Sequence, residues 1–298
     1  MAKKTQTVKH QHTVPKALLK LFSDDGLHRF EISTREWKRR SAEKATVGTY
    51  FYDMINPDGT RNQEIEHWLG KLENKVSPLI KRINEQGTEL NQLERTLLSR
   101  YLFAQHYRTK KVKARVEDSF SDTFNEGEEG RRKAAEMYRN QIIGRGGSEK
   151  DVEKFIANKD LSADVFYPNM LKNLFANGGV SYDGVQFIER MSWRFERIKN
   201  NSPEAFLISD CPFAVRKRGG EVNVSGQVGI GYKDSEFYFP LGSKVMLIGS
   251  HGRVRFSRHA SKLRVEVLNQ ITIANAFKHL FFHKQCNRIT DLVKRTLD

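Results

Sequence analysis

A chain of 298 residues, 38% of them apolar and 29% charged, is long enough to bury one large core or two modest ones beneath a heavily solvated surface. No stretch reaches the roughly 18 uncharged residues of a membrane span, and the N-terminal MAKKTQTVKHQHTVP lacks the apolar core of a secretory signal. The formal charge of +15 favours a polyanionic partner, nucleic acid or nucleotide, because cations that neutralise phosphates release condensed counterions.

The two cysteines, Cys211 and Cys286, make neither a disulfide framework nor a Cys-based zinc site, so free thiols, a cytoplasmic location and no membrane partner are expected. In chain order, KHQHTVPKALLKLF comes first. Pro15 pushes Val14 towards extended geometry and suits the first turn of the helix that Leu18, Leu19 and Phe22 imply. LHRFEISTREWKRRSAEKATVGTYFY predicts short strands around a turn, with Phe30, Ile32 and Trp37 as β-formers. From Asn62 the period changes: Ile65, Leu69, Leu72, Val76, Leu79 and Ile83 form one helical stripe that ends at Gln86-Gly87. Asn91, with Glu94 three residues on, predicts a capped helix running through Leu93, Leu97, Tyr101 and Ala104 to beyond Arg108. FNEGEEGRR reads as a surface loop. A helical pattern resumes from Arg131 to Ile143, and after GRGGSEKD the pair Ser148 and Asp151 can open another helix.

From Ser192 the segments SWRFERI, EAFLISD, EFYFPL and KVMLIGS read as strands, and Leu263 to Phe282 as a helix followed by the strand HLFFH. Strands at both ends with helices between them predict a single α+β domain. Its central layer of long helices lies beside a mixed or antiparallel sheet formed from N- and C-terminal segments. Residues 1–60 hold the histidine motif and a hairpin, 61–190 are helical, and 191–298 are strand-rich with a C-terminal helix.

Alternation along an extended strand puts the His10 and His12 imidazoles on one side, where they can bind a metal or supply acid and base near neutral pH. The plainer alternative is an exposed pair on a frayed terminus. Glu66 and Glu73 lie two helical turns apart on one face, fit to hold a divalent cation, to orient histidines, or simply to pair with Lys71 or Lys75. Gln105 and Arg108 continue the apolar line of their helix, so an amide and a guanidinium fall where the period predicts burial. A buried arginine needs a partner, here Glu66, Glu73 or the phosphate of a ligand. Asp210 ends the strand AFLISD, a position that suits a site and an ordinary Asx turn alike. Basic clusters at Lys38, Arg39 and Arg40, at Lys110, Lys111 and on to Arg115, at Arg216, Lys217 and Arg218, and from Arg253 to Arg264 are candidate nucleic-acid-binding surfaces or solvated faces. GQVGIGY lacks the dinucleotide fingerprint, and no Walker, His-Glu-x-x-His or Gly-x-Ser-x-Gly motif occurs.

Six segments in this order, HQHTVPKALLKLF, IEHWLGKLENKVSPLI, LLSRYLFAQHYRTK, FLISDCPFAV, EFYFPLGSKVMLI and LNQITIANAFKHLFFH, resemble the family called domain of unknown function 4238 over nearly the whole chain. The resemblance implies that His10, His12, Glu66, Glu73, Gln105, Arg108 and Asp210 are the polar positions the family's pattern emphasises. It also implies a setting among bacterial antiviral defence genes, and so a self-contained effector with a phage-derived trigger. Cys211 departs from the pattern, since the family more often has Asn within Ser-Asp-Asn-Pro, and any amide role there is lost.

Charge and interrupted periodicity together lead us to expect a phosphodiesterase-type nuclease, RNA its favoured substrate, in an antiviral or toxin-like role. In this reading His10 and His12 are acid and base or, with Glu73 and Asp210, candidate ligands of a divalent metal ion. Arg108 stabilises charge on the phosphate and Gln105 orients it, while Glu66, Glu73 and Asp210 position the imidazoles or complete a cation site. The competing readings are a non-catalytic sensor that clamps a nucleotide or a phage component, and an enzyme for a small nucleotide, which needs a confined pocket instead of a basic groove.

Overall fold

The computed structural model describes residues 7–23, 26–56, 59–87, 89–124, 163–175, 182–220, 229–252, 259–284 and 287–297, with 127, 129, 132, 139, 143, 148–150, 152 and 153 between them. Alternation begins at once: β1 (His10–His12) pairs antiparallel with β4 (Val47–Thr49). Between these strands, α1 (Lys16–Leu19) starts directly after Pro15 and runs into a 3-10 turn, burying Leu18, Leu19 and Phe22. The hairpin of β2 (Leu27–Glu31) and β3 (Glu36–Arg40) follows, with Phe30 opposite Trp37. A small ladder of β5 (Met54–Ile55) and β6 (Arg61–Asn62) leads into the helices.

Helix α2 (Glu64–Glu85) buries every residue of the predicted stripe and continues through Pro78. Helix α3 (Gln92–Tyr107) opens on the predicted capping box, Asn91 Oδ1 accepting from the Glu94 amide at 2.9 Å and Glu94 Oε2 from the Asn91 amide at 3.1 Å. Two features depart from the periodic reading. Leu93 is 82% exposed, because the buried line of α3 is Leu98, Tyr101, Leu102, Ala104 and Gln105. Nor does the helix run on past Arg108. It breaks at Arg108 and Thr109, and α4 (Lys110–Phe124) starts afresh, the Thr109 hydroxyl accepting from the Val112 amide at 3.3 Å. Of the expected loop over 124–132, the described residues Phe124, Gly127, Glu129 and Arg132 are helical. The helix expected from 131 to 143 lies mostly outside the described residues, as do Arg253 to Arg258 of the last basic cluster, Cys286 and the start of GQVGIGY. Ser148 does open a helical turn, its carbonyl accepting from the Val152 amide at 3.3 Å.

Helices α5 (Ala163–Phe175) and α6 (Tyr182–Arg190) precede the strand-rich part. There β7 (Ser192–Arg197), β9 (Ala214–Lys217), β10 (Ser235–Gly242) and β11 (Val245–Ser250) form an antiparallel sheet in the order β7-β11-β10-β9. The two-residue period sends Phe237, Phe239 and Leu241 into the core shared with α2 and α3. It sends Tyr238, Met246 and Ile248 the other way, against Val265, Leu268 and Ile271 of α7 (Lys262–Asn275). Every residue of β10 and β11 is therefore buried or nearly so, and Pro240 is tolerated because the register shifts between it and Gly242.

In AFLISD only β8 (Ile208–Ser209) is strand, an edge addition to a second sheet. β12 (His279–Phe282), from the far end of the chain, inserts beside β2 to give the order β3-β2-β12-β8, with Leu280 opposite Phe30. Helix α8 (Asn287–Leu297), which the periodic reading did not pick out, covers this sheet with Ile289, Leu292 and Val293. N- and C-terminal segments thus complete one antiparallel sheet, the α+β arrangement expected. Among the described residues no helix is long and apolar enough to cross a membrane.

Candidate functional site

The histidine strand is pinned, not frayed. Gln63, just ahead of α2, clamps the Val8 backbone, its Nε2 donating to the Val8 carbonyl at 2.8 Å and its Oε1 accepting from the Val8 amide at 2.7 Å. Between the two histidines, Gln11 is fully buried. Its Nε2 donates to Asp53 Oδ1 at 2.5 Å and its Oε1 accepts from the Tyr52 amide at 2.7 Å. Alternation then turns His10 and His12 the opposite way. His10 is exposed and its side chain makes no hydrogen bond among the described residues; His12 is half-buried.

Arg108 closes the arrangement from the helices. Only 2% exposed, it donates from Nη1 to Glu73 Oε1, from Nη2 to the His12 carbonyl, and from Nε to the Tyr52 hydroxyl at 3.2 Å. The Tyr52 oxygen itself lies 3.1 Å from the His12 carbonyl and 3.0 Å from the Arg108 carbonyl. The predicted carboxylate partner is thus Glu73, and neither Lys71 nor Lys75 takes that place. Arg108 thus turns Nε, Nη1 and Nη2 each to a partner inside the protein.

Two titratable groups around this guanidinium are displaced in opposite directions. Burial lowers the His12 imidazole, partly offset by the Glu43 carbonyl and by Glu73, with Arg108 and Lys16 adding to the lowering. His12 Nε2 lies 3.1 Å from that carbonyl. A carbonyl only accepts, so in the neutral ring the proton sits on Nε2 and Nδ1 keeps its lone pair. Glu66 is pushed up to about 7, first by burial, then by the charges of Glu73 and Asp53 against the opposing pull of Arg108. Its Oε2 is buried without a hydrogen-bond partner.

Other expected members do not join this centre. Asp210 is buried elsewhere, its oxygens accepting from the backbone amides of Phe277, Lys278 and His279 at 2.9, 2.8 and 3.1 Å. It does not make the local Asx turn of its plainer reading; it holds the distant connection from α7 to β12. Among the described residues no group of three or more His, Cys, Asp or Glu side chains could hold a metal ion, so His10, His12, Glu73 and Asp210 do not make one metal site. Gln105 is fully buried as expected, but neither of its amide atoms has a hydrogen-bond partner, and it does not orient Arg108.

The basic clusters divide. Lys38, Arg39 and Arg40 are exposed on β3. Lys110 and Lys111 are turned to the Val47 and Asn275 carbonyls at 3.1 and 2.9 Å. Arg216 is buried and donates to the Lys217 and Gly220 carbonyls, so it is no part of an open surface. Lys217 and Arg218 pair with Asp234 and Glu236 at 3.5 and 3.3 Å.

Sequence reasoning missed Tyr52, Gln63, Asp53 and Gln11, which bond across long intervals of chain and carry no periodic signal. It also missed His106, next to Gln105, although the AQHYR segment displays it. The model of the family described as protein of unknown function (DUF4238) matches residues 10–285. Searches of curated proteins and of solved structures gave no match.

Proposed function

The chain belongs to the DUF4238 family, and we propose that it is a phosphodiester hydrolase, RNA its first candidate substrate, with His12 as general base and Glu66 as general acid. The observation that carries this reading is the opposite displacement of these two groups around the buried Arg108–Glu73 pair. Environments that favour a neutral imidazole and a protonated carboxyl let one site hold a base and an acid at the same pH. His12 Nδ1 accepts the proton of the attacking hydroxyl, and the protonated Glu66 carboxyl delivers one to the departing oxygen, so the proton count balances over the step. Lys16 and Lys20, which gather on Glu43 at 3.0 and 3.8 Å beside His12, with Lys38, Arg39 and Arg40, attract the polyanion.

Purified protein incubated with RNA and with DNA, with and without chelator, tests it. RNA cleavage that survives chelator and falls at least 100-fold in His12→Ala and in Glu66→Gln is the expected result. Its rate should decline as pH rises through about 7, where Glu66 loses its proton, and no decline should appear in Glu66→Gln. Absence of cleavage by a folded wild-type protein sinks the enzyme. Chelator-sensitive cleavage restored by a divalent ion moves the chemistry off this pair.

A second reading draws on the inward-facing Arg108, whose partners all lie within the protein. The network is then a clamp for a non-catalytic module that binds a nucleotide or a phage component, and His12→Ala lowers thermal stability instead of activity. The antiviral or toxin-like setting comes from the family resemblance. Phage plaque counts on cells producing wild type or His12→Ala test it.

A further inference from the structure

We propose that a cavity at the break between α3 and α4 binds a nucleoside monophosphate, at a place separate from the His12–Glu66 pair. Its volume is about 300 Å³, at the lower end of small-molecule sites. Among the described residues its lining includes two cations, Lys111 and Arg115, and no carboxylate. The carboxylate that acts on Lys111 is Asp210, whose oxygens are already engaged by three backbone amides. The first turn of α4 is part of the wall through Thr109, Lys111 and Val112, and a helix N-terminus adds partial positive charge to that end. One end of the cavity thus favours a compact anion.

The rest of the lining asks for something flat. Phe213 and Val215 supply apolar wall, and Tyr232, 64% exposed, stands among the lining residues with its ring uncovered. His106 meets Phe213 edge-on at 5.2 Å, and no hydrogen bond engages its ring nitrogens among the described residues. Burial pushes its imidazole down to about 4, so near neutral pH it is an uncharged ring with one donor and one acceptor. A bare phosphate has no use for these rings, and an apolar ligand has none for Lys111 and Arg115. A phosphate joined to a nucleobase uses both.

Calorimetric titration of the full chain with AMP, GMP, CMP and UMP, alongside the matching nucleosides and inorganic phosphate, decides the matter. At least one nucleotide should bind tenfold or more tightly than its nucleoside and than phosphate. Arg115→Ala and Tyr232→Ala should each weaken it at least fivefold without moving the melting temperature, and His12→Ala should bind like wild type. The proposal is overturned if no nucleotide binds, or if phosphate binds as well as the best nucleotide. It is equally overturned if His12→Ala loses binding while Arg115→Ala keeps it, which would put the nucleotide at the acid–base pair. None of these readouts involves RNA cleavage, so the cavity and the hydrolase stand or fall separately.

Discussion

At Arg108 three groups from distant parts of the chain, Glu73, Tyr52 and the His12 carbonyl, meet one buried cation. Arg108→Met leaves the Tyr52 hydroxyl, the His12 carbonyl and the partly exposed Glu73 carboxylate without their donor, so it should cost about 2–3 kcal/mol, read as a lower midpoint in urea unfolding. Glu73→Gln, which keeps an acceptor, should cost about 1 kcal/mol. Glu66 behaves differently because its folded value, about 7, lies above its ordinary value of 4.5. The fold prefers the protonated carboxyl, so the stability it contributes is complete below about 4.5 and is lost as pH rises through 7. Glu66→Gln should match wild type in acid and exceed it above pH 7 in thermal melts; a wild-type advantage at pH 8 would contradict the shift. Arg108 and Gln105 were legible in sequence because they are polar residues at apolar positions. Tyr52 and Gln63 were not, since their partners are set by the tertiary path alone.

Among the elements, the turn from α7 to β12 depends on Asp210. Asp210→Ala leaves three amides without their acceptor and should lower stability by about 2–4 kcal/mol, whereas Asp210→Asn should keep part of it. If Asp210→Ala melts like wild type, the carboxylate is not the anchor the geometry describes. The edge strand β3, with exposed Lys38, Arg39 and Arg40, also shows why a basic cluster is ambiguous from sequence: charges on an edge discourage strand addition whatever else they do. Helices α1, α2, α3 and α7 were legible from period and caps, the Asn91–Glu94 box above all, whereas α5, α6 and α8 were not. The break at Arg108 and Thr109 was not, because RTKKVKAR contains good helix formers and nothing that stops a helix.

For the molecule as a whole, the decisive contact is β12 between β2 and β8. A chain ending after Asn275 loses β12 and α8, and with them Leu280, Phe282, Ile289, Leu292 and Val293, the cover over Phe30 and Leu207. It should be insoluble, or should melt without cooperativity; a cooperative melt near the wild-type temperature would show that the second sheet is dispensable. That strands from both chain ends would share a sheet was legible from their positions. Which of them would be neighbours was not, because pairing order follows from packing and leaves no mark in local pattern.

This pairing also sets a timetable for biosynthesis. Phe30 leaves the ribosome some 250 residues before Leu280, its partner across the strands, which at ordinary translation speeds is roughly 10–50 s. Throughout that interval a nascent chain carries an uncapped strand edge, and the native sheet can close only once β12 has emerged.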